Sequence, residues 1–374
     1  MADPAQIPRR LGRVPAFDGI RGLAVLLVIW SHIGLIRVFP KSWKPMGGFL
    51  GVDAFFVLSG FLITALLLRE QVDRARVHFL AFYRRRALRL LPVIVFFGVA
   101  HYLFSRDLHF AQGTEHSSLL AMAFYYMNWK AAWALPITPA IGQLWSLAVE
   151  EQFYLVWPIV IALLSVRART RTVLLTLVPA ILLVELRRAI LWDHGVSTGR
   201  LLIGTDTRAD TLLIGALLAH LWVRGELPKR GVSAAAWVCT AFLAVCVLRC
   251  SPNSPFLFAG GFTLVAVAVA VILLAVLDTN WAAARALAAR PIRAVGRVSY
   301  GLYVWHPLVF WWVWWETRKW ARVPRFAAVV TVTVAVTYLS WKLIEQPFLR
   351  WKDRLERADR ARMPATPLDA APSA

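Results

Sequence analysis

The chain has 374 residues, of which 59% are hydrophobic and only 17% are charged. A soluble globular protein of this length needs far more polar surface, so the composition excludes that class. The net charge of +21 would favour nucleic-acid binding in a soluble protein, but most of the basic residues lie between apolar runs. That arrangement indicates that the basic residues set the orientation of the protein in the membrane and contact anionic lipid. It argues against a nucleic-acid partner.

Apolar runs recur from residue 17 to residue 344. A membrane-spanning helix needs about 17–25 mostly apolar residues, and Trp side chains flank several of the runs where amphipathic rings prefer the interface. The sequence therefore predicts an all-α, polytopic integral membrane bundle of about ten transmembrane helices. The predicted spans are 17–38, 48–68, 88–104, 148–165, 173–192, 205–223, 232–249, 257–277, 297–315 and 326–344.

Basic residues concentrate between alternate spans, and the positive-inside rule then orients the bundle. With these segments in the cytoplasm, both termini are predicted to be cytoplasmic as well. The loop 316–325 is also basic but falls on the opposite side, against the rule. The basic segments are 9–13, 69–89, 167–171, 224–230, 285–297 and the tail from residue 350.

A further run, 118–134, would reverse this orientation if it crossed the membrane. It contains Asn128 and Lys130, so it is predicted to be a re-entrant or interfacial helix on the outer side. The expected organisation is a cytoplasmic N-terminal segment (1–16), a transmembrane domain (17–348) and a cytoplasmic tail (349–374). The tail is rich in Ala, Pro and charge, a composition typical of disorder.

The first span carries Arg21 and His32, and ionisable groups inside a bilayer are costly enough to indicate function. Eleven residues make about three helical turns, so both side chains lie on one face, about 16 Å apart along the axis. Arg21 is predicted near the cytoplasmic end and His32 in the outer half. A structural role, in which each side chain only bonds to a neighbouring helix, is the alternative.

Other polar residues extend this pattern into two zones. Arg86 and Arg89 lie three residues apart in a basic loop, a fork suited to phosphate, although a topological anchor is the alternative. Asp53 is predicted at the depth of His32. A carboxylate bonded to one imidazole nitrogen would raise the basicity of the other, and the choice of carboxylate stays open. The outer zone also contains Glu150, Glu151, Tyr154, Arg208 and Asp210. Tyr300, Tyr303 and His306 follow at intervals of three residues and share, loosely, one face of a later span.

Seven blocks in this order resemble the acyltransferase 3 family of bacterial integral-membrane acylases. The resemblance covers residues 16–348, nearly the whole chain. No single block identifies the family by itself, but the complete series in this order does. The blocks are Arg21 with His32, GVDAFFVLSGFLIT, Arg86-x-x-Arg89-x-x-Pro92, WSLAVEEQFY, RADTLLIGALLA, SYGLYVWHP and Glu345-x-Pro347.

The resemblance implies transfer of a short acyl group from acyl-CoA, either acetyl-CoA or propionyl-CoA, to a sugar hydroxyl in the bacterial inner membrane. The acceptor would be a cell-envelope glycan or a glycosylated metabolite such as a macrolide, and no metal is expected. His32 is then the expected base, assisted by Glu150 and Asp53. Arg21, Arg86 and Arg89 would contact the CoA phosphates. The expected acceptor-binding residues are Glu151, Tyr154, Arg208, Asp210, Tyr300 and His306.

A transporter or flippase that uses His and carboxylate side chains as a proton relay is the competing hypothesis, because buried ionisable groups suit it equally well. The basic fork of Arg86 and Arg89 favours the acyltransferase. So does the absence of the paired half-repeats that many carriers show.

Overall fold

The computed structural model describes residues 11–33, 46–107, 114–138, 140–164, 168–228, 230–278 and 281–361. Within these ranges all regular secondary structure is helical, which confirms the all-α class. The helices are α1 (Pro15–His32), α2 (Gly51–Arg74), α3 (Phe79–Asp107), α4 (Glu115–Ala123), α5 (Met127–Ala132), α6 (Trp145–Leu164), α7 (Thr170–Asp193), α8 (Thr198–Ile203), α9 (Thr205–Val223), α10 (Val232–Arg249), α11 (Phe262–Asp278), α12 (Ala282–Leu287), α13 (Arg290–Arg297), α14 (Ser299–Glu316), α15 (Arg322–Ser340) and α16 (Gln346–Ala361).

Six helical segments of the described chain are long and apolar enough to cross a membrane, so the protein is built as a multi-pass membrane bundle. The other four predicted spans are also helical, as α1, α7, α9 and α14, but they fall short of the same criterion. Charged residues inside α7 and α9 are one reason. Ten spans are therefore not confirmed. The six segments are Gly48–Arg74, Phe79–Phe104, Gly142–Leu164, Val232–Arg249, Leu257–Leu277 and Arg322–Asp359.

Two segments differ in detail from the sequence-based expectation. The run 118–134 forms two short helices, α4 and α5, of 9 and 6 residues. At about 1.5 Å per residue neither can cross a bilayer. Helix α16 continues through residues 349–361, which were expected to belong to a disordered tail. The rest of that tail, 362–374, lies outside the described residues.

Helices α2 and α9 pack closely because glycines remove the side chains between them. A Cβ atom on Gly60 would lie 2.0 Å from the backbone oxygen of Leu212, and one on Gly215 would lie 2.0 Å from that of Val57. Neither position can accept a larger residue without moving a helix. This close approach follows the small-residue packing of membrane helices.

A network of charged side chains lies beside this contact and joins four helices. Arg208 on α9 donates to the Asp53 carboxylate on α2 at 2.6 Å. Arg188 on α7 binds both carboxylate oxygens of Asp210, at 3.1 and 3.0 Å. Thr263 on α11 donates to Asp210 at 2.7 Å. Paired in this way, the charges tie α2, α7, α9 and α11 together in an apolar interior.

Arg208→Leu should destabilise the protein strongly because it leaves the Asp53 carboxylate buried without its cation. Removal of one member of a buried ion pair costs about 3–5 kcal/mol. The matched control is Arg69→Leu, which breaks the exposed Arg69–Asp73 pair, and such pairs contribute about 0–1 kcal/mol. Thermal unfolding in detergent, followed by Trp fluorescence, should show a much larger drop in Tm for Arg208→Leu. Equal drops would contradict a stabilising network.

Candidate active site

One cavity is lined by α1, α2, α3, α6 and α14, and it holds about 780 Å³ of empty space, its open mouth included. Apolar residues of α2, α3 and α6 form part of its wall. Its polar residues are Arg21, Ser59, Arg86, Arg89, Ser146, Glu150, Tyr154, Ser299, Tyr300 and Tyr303.

Three arginines from two helices meet at one end of this cavity, which we call the basic end: Arg21, Arg86 and Arg89. Arg86 is paired, since its guanidinium donates to Glu151 at 3.3 Å and lies 3.3 Å from the centre of the Tyr154 ring. Arg21 is half-buried and Arg89 is exposed. Among the described residues neither has an ion-pair or hydrogen-bond partner. Two guanidinium groups are thus available to an anion.

Glu150 and Glu151 lie beside the arginines, so their predicted separation into an outer zone is wrong. Glu150 accepts hydrogen bonds from Ser59 and from the Tyr154 hydroxyl, both at 3.1 Å. The cause is the start of α3 at residue 79 rather than at 88. Arg86 and Arg89 therefore lie about 10 and 15 Å along the helix, at the level of the glutamates.

The ring of His32 has a defined tautomer, set by the backbone. Its Nδ1 atom lies 2.8 Å from the carbonyl oxygen of Val28. A carbonyl only accepts, so Nδ1 carries the proton and Nε2 keeps its lone pair, as a general base requires. The sequence predicted a carboxylate for this orienting position. The structure places the Val28 carbonyl there, and Glu150, Glu151 and Asp53 have other partners.

Helix α14 connects His32 to the cavity. The His306 ring lies 5.2 Å from the His32 ring and 5.9 Å from the ring of Tyr303, which lines the cavity wall. The Tyr303 hydroxyl donates to the Gln143 carbonyl at 2.6 Å and lies 2.6 Å from the Ser146 hydroxyl. The His306 ring thus connects His32 to Tyr303, and His32 itself is not among the residues that line the cavity.

The structure divides the predicted site residues into two groups. Arg21, Arg86, Arg89, Glu150, Tyr154 and Tyr300 line the cavity, Glu151 holds Arg86 there, and His32 and His306 adjoin it. Asp53, Arg208 and Asp210 lie together in the charged network instead. Their catalytic and substrate-binding roles stay predictions.

Sequence analysis did not single out Arg188, Phe55 or Ser146. Arg188 stands inside a predicted span, where any charge is a signal. Phe55 precedes Ser59 by four residues, and Ser146 precedes Glu150 by four. Helical periodicity could therefore have placed both on the cavity face. In the part of the chain that the structure describes, no group of three or more His, Cys, Asp or Glu side chains could hold a metal ion.

A family model for the acyltransferase domain, acyltransferase 3, matches residues 14–342. This chain belongs to the acyltransferase 3 family. The resemblance stated from the sequence motifs is therefore confirmed, and the match contains every residue of the cavity and of the charged network.

Curated relatives support the same assignment. YrhL of Bacillus subtilis, provisionally named a peptidoglycan O-acetyltransferase, is 34% identical over 78% of this chain and 48% of its own length. The O-acetyltransferase OatA of Staphylococcus aureus is 30% identical over 89% of this chain and 57% of its own. The peptidoglycan O-acetyltransferase OatA of Listeria monocytogenes is 30% identical over 89% and 55%. The chain spans about half the length of these relatives, and no solved structure matches it.

The stacking of Arg86 on Tyr154 should matter for anion binding at the basic end. Tyr154→Phe keeps the ring under the guanidinium, whereas Tyr154→Leu removes it. A desolvated cation–π contact contributes about 1–2 kcal/mol, hence about 5- to 30-fold in affinity. Titration calorimetry with pyrophosphate should show weaker binding for Tyr154→Leu and near-normal binding for Tyr154→Phe. Equal affinities in the two variants would contradict this role of the ring.

Proposed function

We propose that this protein is a membrane O-acyltransferase that moves an acetyl or other short acyl group from acyl-CoA to a hydroxyl of a cell-envelope glycan. Membership of the acyltransferase 3 family supports the reaction class. The names of relatives from Bacillus subtilis and Listeria monocytogenes favour peptidoglycan as the acceptor. They do not support a macrolide.

The observation that carries the proposal is a pair of arginines in the cavity that have no ion-pair or hydrogen-bond partner among the described residues. Arg21 and Arg89 face the cavity, and Arg86 lies beside them with its own carboxylate. Arginine forks bind phosphate oxygens with two hydrogen bonds and full charge complementarity. CoA carries several phosphate groups, so the basic end suits its nucleotide part. The apolar wall of the cavity suits the pantetheine arm.

His32 is the base in this proposal. Its Nε2 lone pair takes the proton of the acceptor hydroxyl as the oxygen attacks the thioester carbonyl. The tetrahedral intermediate collapses with loss of the CoA thiolate, which takes the proton from His32. The products are an O-acyl sugar and CoA thiol, and the imidazole returns to its starting state. The Val28 carbonyl keeps Nδ1 protonated throughout, so the ring always presents Nε2.

Orientation follows from the source of the donor. Acyl-CoA is made in the cytoplasm, so the basic end opens to that side of the bacterial inner membrane. Arg21 lies near the start of α1, so in this proposal the N-terminus is cytoplasmic. The positive-inside pattern agrees. Ten spans with both termini inside complete this arrangement, and the acceptor then meets His32 from the outer half.

Arg21→Gln and Arg89→Gln should each raise the KM for acetyl-CoA by about 10- to 100-fold, because a hydrogen bond to a charged group contributes about 1.5–3 kcal/mol. Acetyl-pantetheine lacks the nucleotide phosphates, so the same variants should use it as well as the wild type does. Arg85→Gln is the control, since Arg85 pairs with Glu70 outside the cavity. Equal losses with both donors would contradict a phosphate site.

His32→Ala should abolish acyl transfer while the protein still inserts and folds. His194→Ala, an exposed histidine after α7, is the matched control and should stay active. The assay measures radiolabelled acetyl transfer from acetyl-CoA to muropeptides in proteoliposomes, with Tm as the check on folding. Activity of the His32 variant within tenfold of the wild type would overturn its role as the base.

A further inference from the structure

His306 is a buried histidine whose second nitrogen has no partner. Its Nδ1 atom lies 2.8 Å from the Tyr303 carbonyl and 3.2 Å from the Leu302 carbonyl. Carbonyls accept, so Nδ1 carries the proton and Nε2 holds a lone pair. Among the described residues nothing donates to that Nε2, although the side chain is completely buried. Buried acceptors are rarely left without a donor, since the lost hydration is not replaced.

The neighbour of His306 is the proposed base. The His32 and His306 rings lie 5.2 Å apart at an interplanar angle of 64°. Both rings have Nδ1 fixed on a backbone carbonyl, so Nε2 is the unprotonated nitrogen of each ring. The resting pair therefore contains two lone pairs and no proton to share. A proton arriving on His32 would change this.

We propose that His306 is a positioning residue that acts through His32: its Nε2 lone pair stabilises the proton that His32 takes from the acceptor hydroxyl. This inference rests on the proposed function and deepens it. The acceptor O–H bond breaks, the N–H bond forms on His32, and the two imidazoles share one positive charge. The CoA thiolate then takes the proton, so both rings end neutral.

A second imidazole suits this position better than a carboxylate would. Before the proton arrives, an imidazole pair is neutral and costs little inside the membrane, whereas a carboxylate would bury a charge. Three other ionisable side chains from the same part of the bundle already have partners. Tyr303 donates to Gln143, Glu150 accepts from Ser59 and Tyr154, and Asp53 pairs with Arg208.

The test compares two substitutions by a readout that does not need activity. His306→Phe keeps a ring of similar size but no lone pair, and His306→Gln keeps an acceptor oxygen near the position of Nε2. Nitrogen-15 NMR of histidine-labelled protein in nanodiscs reports the protonation of His32 directly. In His306→Phe the titration midpoint of His32 should move down by about one pH unit or more, since its protonated form loses an acceptor. In His306→Gln most of that shift should be absent.

Acyl transfer is the second readout. His306→Phe should lower kcat about 10- to 100-fold, the size of effect expected when a base is weakened, and leave the KM for acetyl-CoA unchanged because the basic end is intact. The double variant His32→Ala/His306→Phe should be no less active than His32→Ala, as expected of residues that act as one unit.

An unchanged His32 titration in correctly folded His306→Phe overturns the proposal, whatever the activity. Equal shifts of the His32 titration midpoint in His306→Phe and His306→Gln would also overturn the proposal. An inactive wild type would overturn the proposed function alone, because the NMR titration would still show whether the two rings share a proton.

Discussion

An arginine among membrane-spanning helices is stable only when acceptors or anions compensate its charge. Arg188 and Arg208 meet this condition inside the protein, with Asp210 and Asp53 as their partners. Arg86 meets it with Glu151. Arg21 and Arg89 line the same cavity as Arg86 but form no ion pair or hydrogen bond with the residues that the structure describes. The paired arginines stabilise the fold, whereas the other two can bind an anionic ligand. The proposed binding site for the acyl donor depends on this difference.

The two kinds of charge are linked through α2. Asp53 points to the network with Arg208, while Phe55 and Ser59 line the cavity. At 100° per residue these two positions lie about 200° and 240° around the helix from Asp53. One face of α2 is therefore fixed against α9 by Gly60 and the ion pair. The opposite face forms the wall on which Glu150 is oriented by Ser59.

Periodicity and hydropathy predicted the all-α class and the shared position of Arg21, Arg86 and Arg89. They did not predict that Glu150 lies at the level of the arginines. Depth was counted from helix ends, and α3 begins nine residues earlier than its apolar run, so its arginines lie farther along the helix than expected. Pairings between distant segments were also out of reach: Asp53 and Arg208 lie 155 positions apart, and no local pattern selects that partner over another. The orienting carbonyl of Val28 was missed since backbone acceptors leave no mark in a sequence.

The most direct measurement is a cryo-electron microscopy map of the protein in nanodiscs with a thioether analogue of acetyl-CoA, which cannot be cleaved. We expect phosphate density within hydrogen-bonding distance of Arg21 and Arg89, and the sulfur beside Tyr303 on the side of His32. Phosphates bound on the outer surface, or a sulfur far from His32, would contradict it.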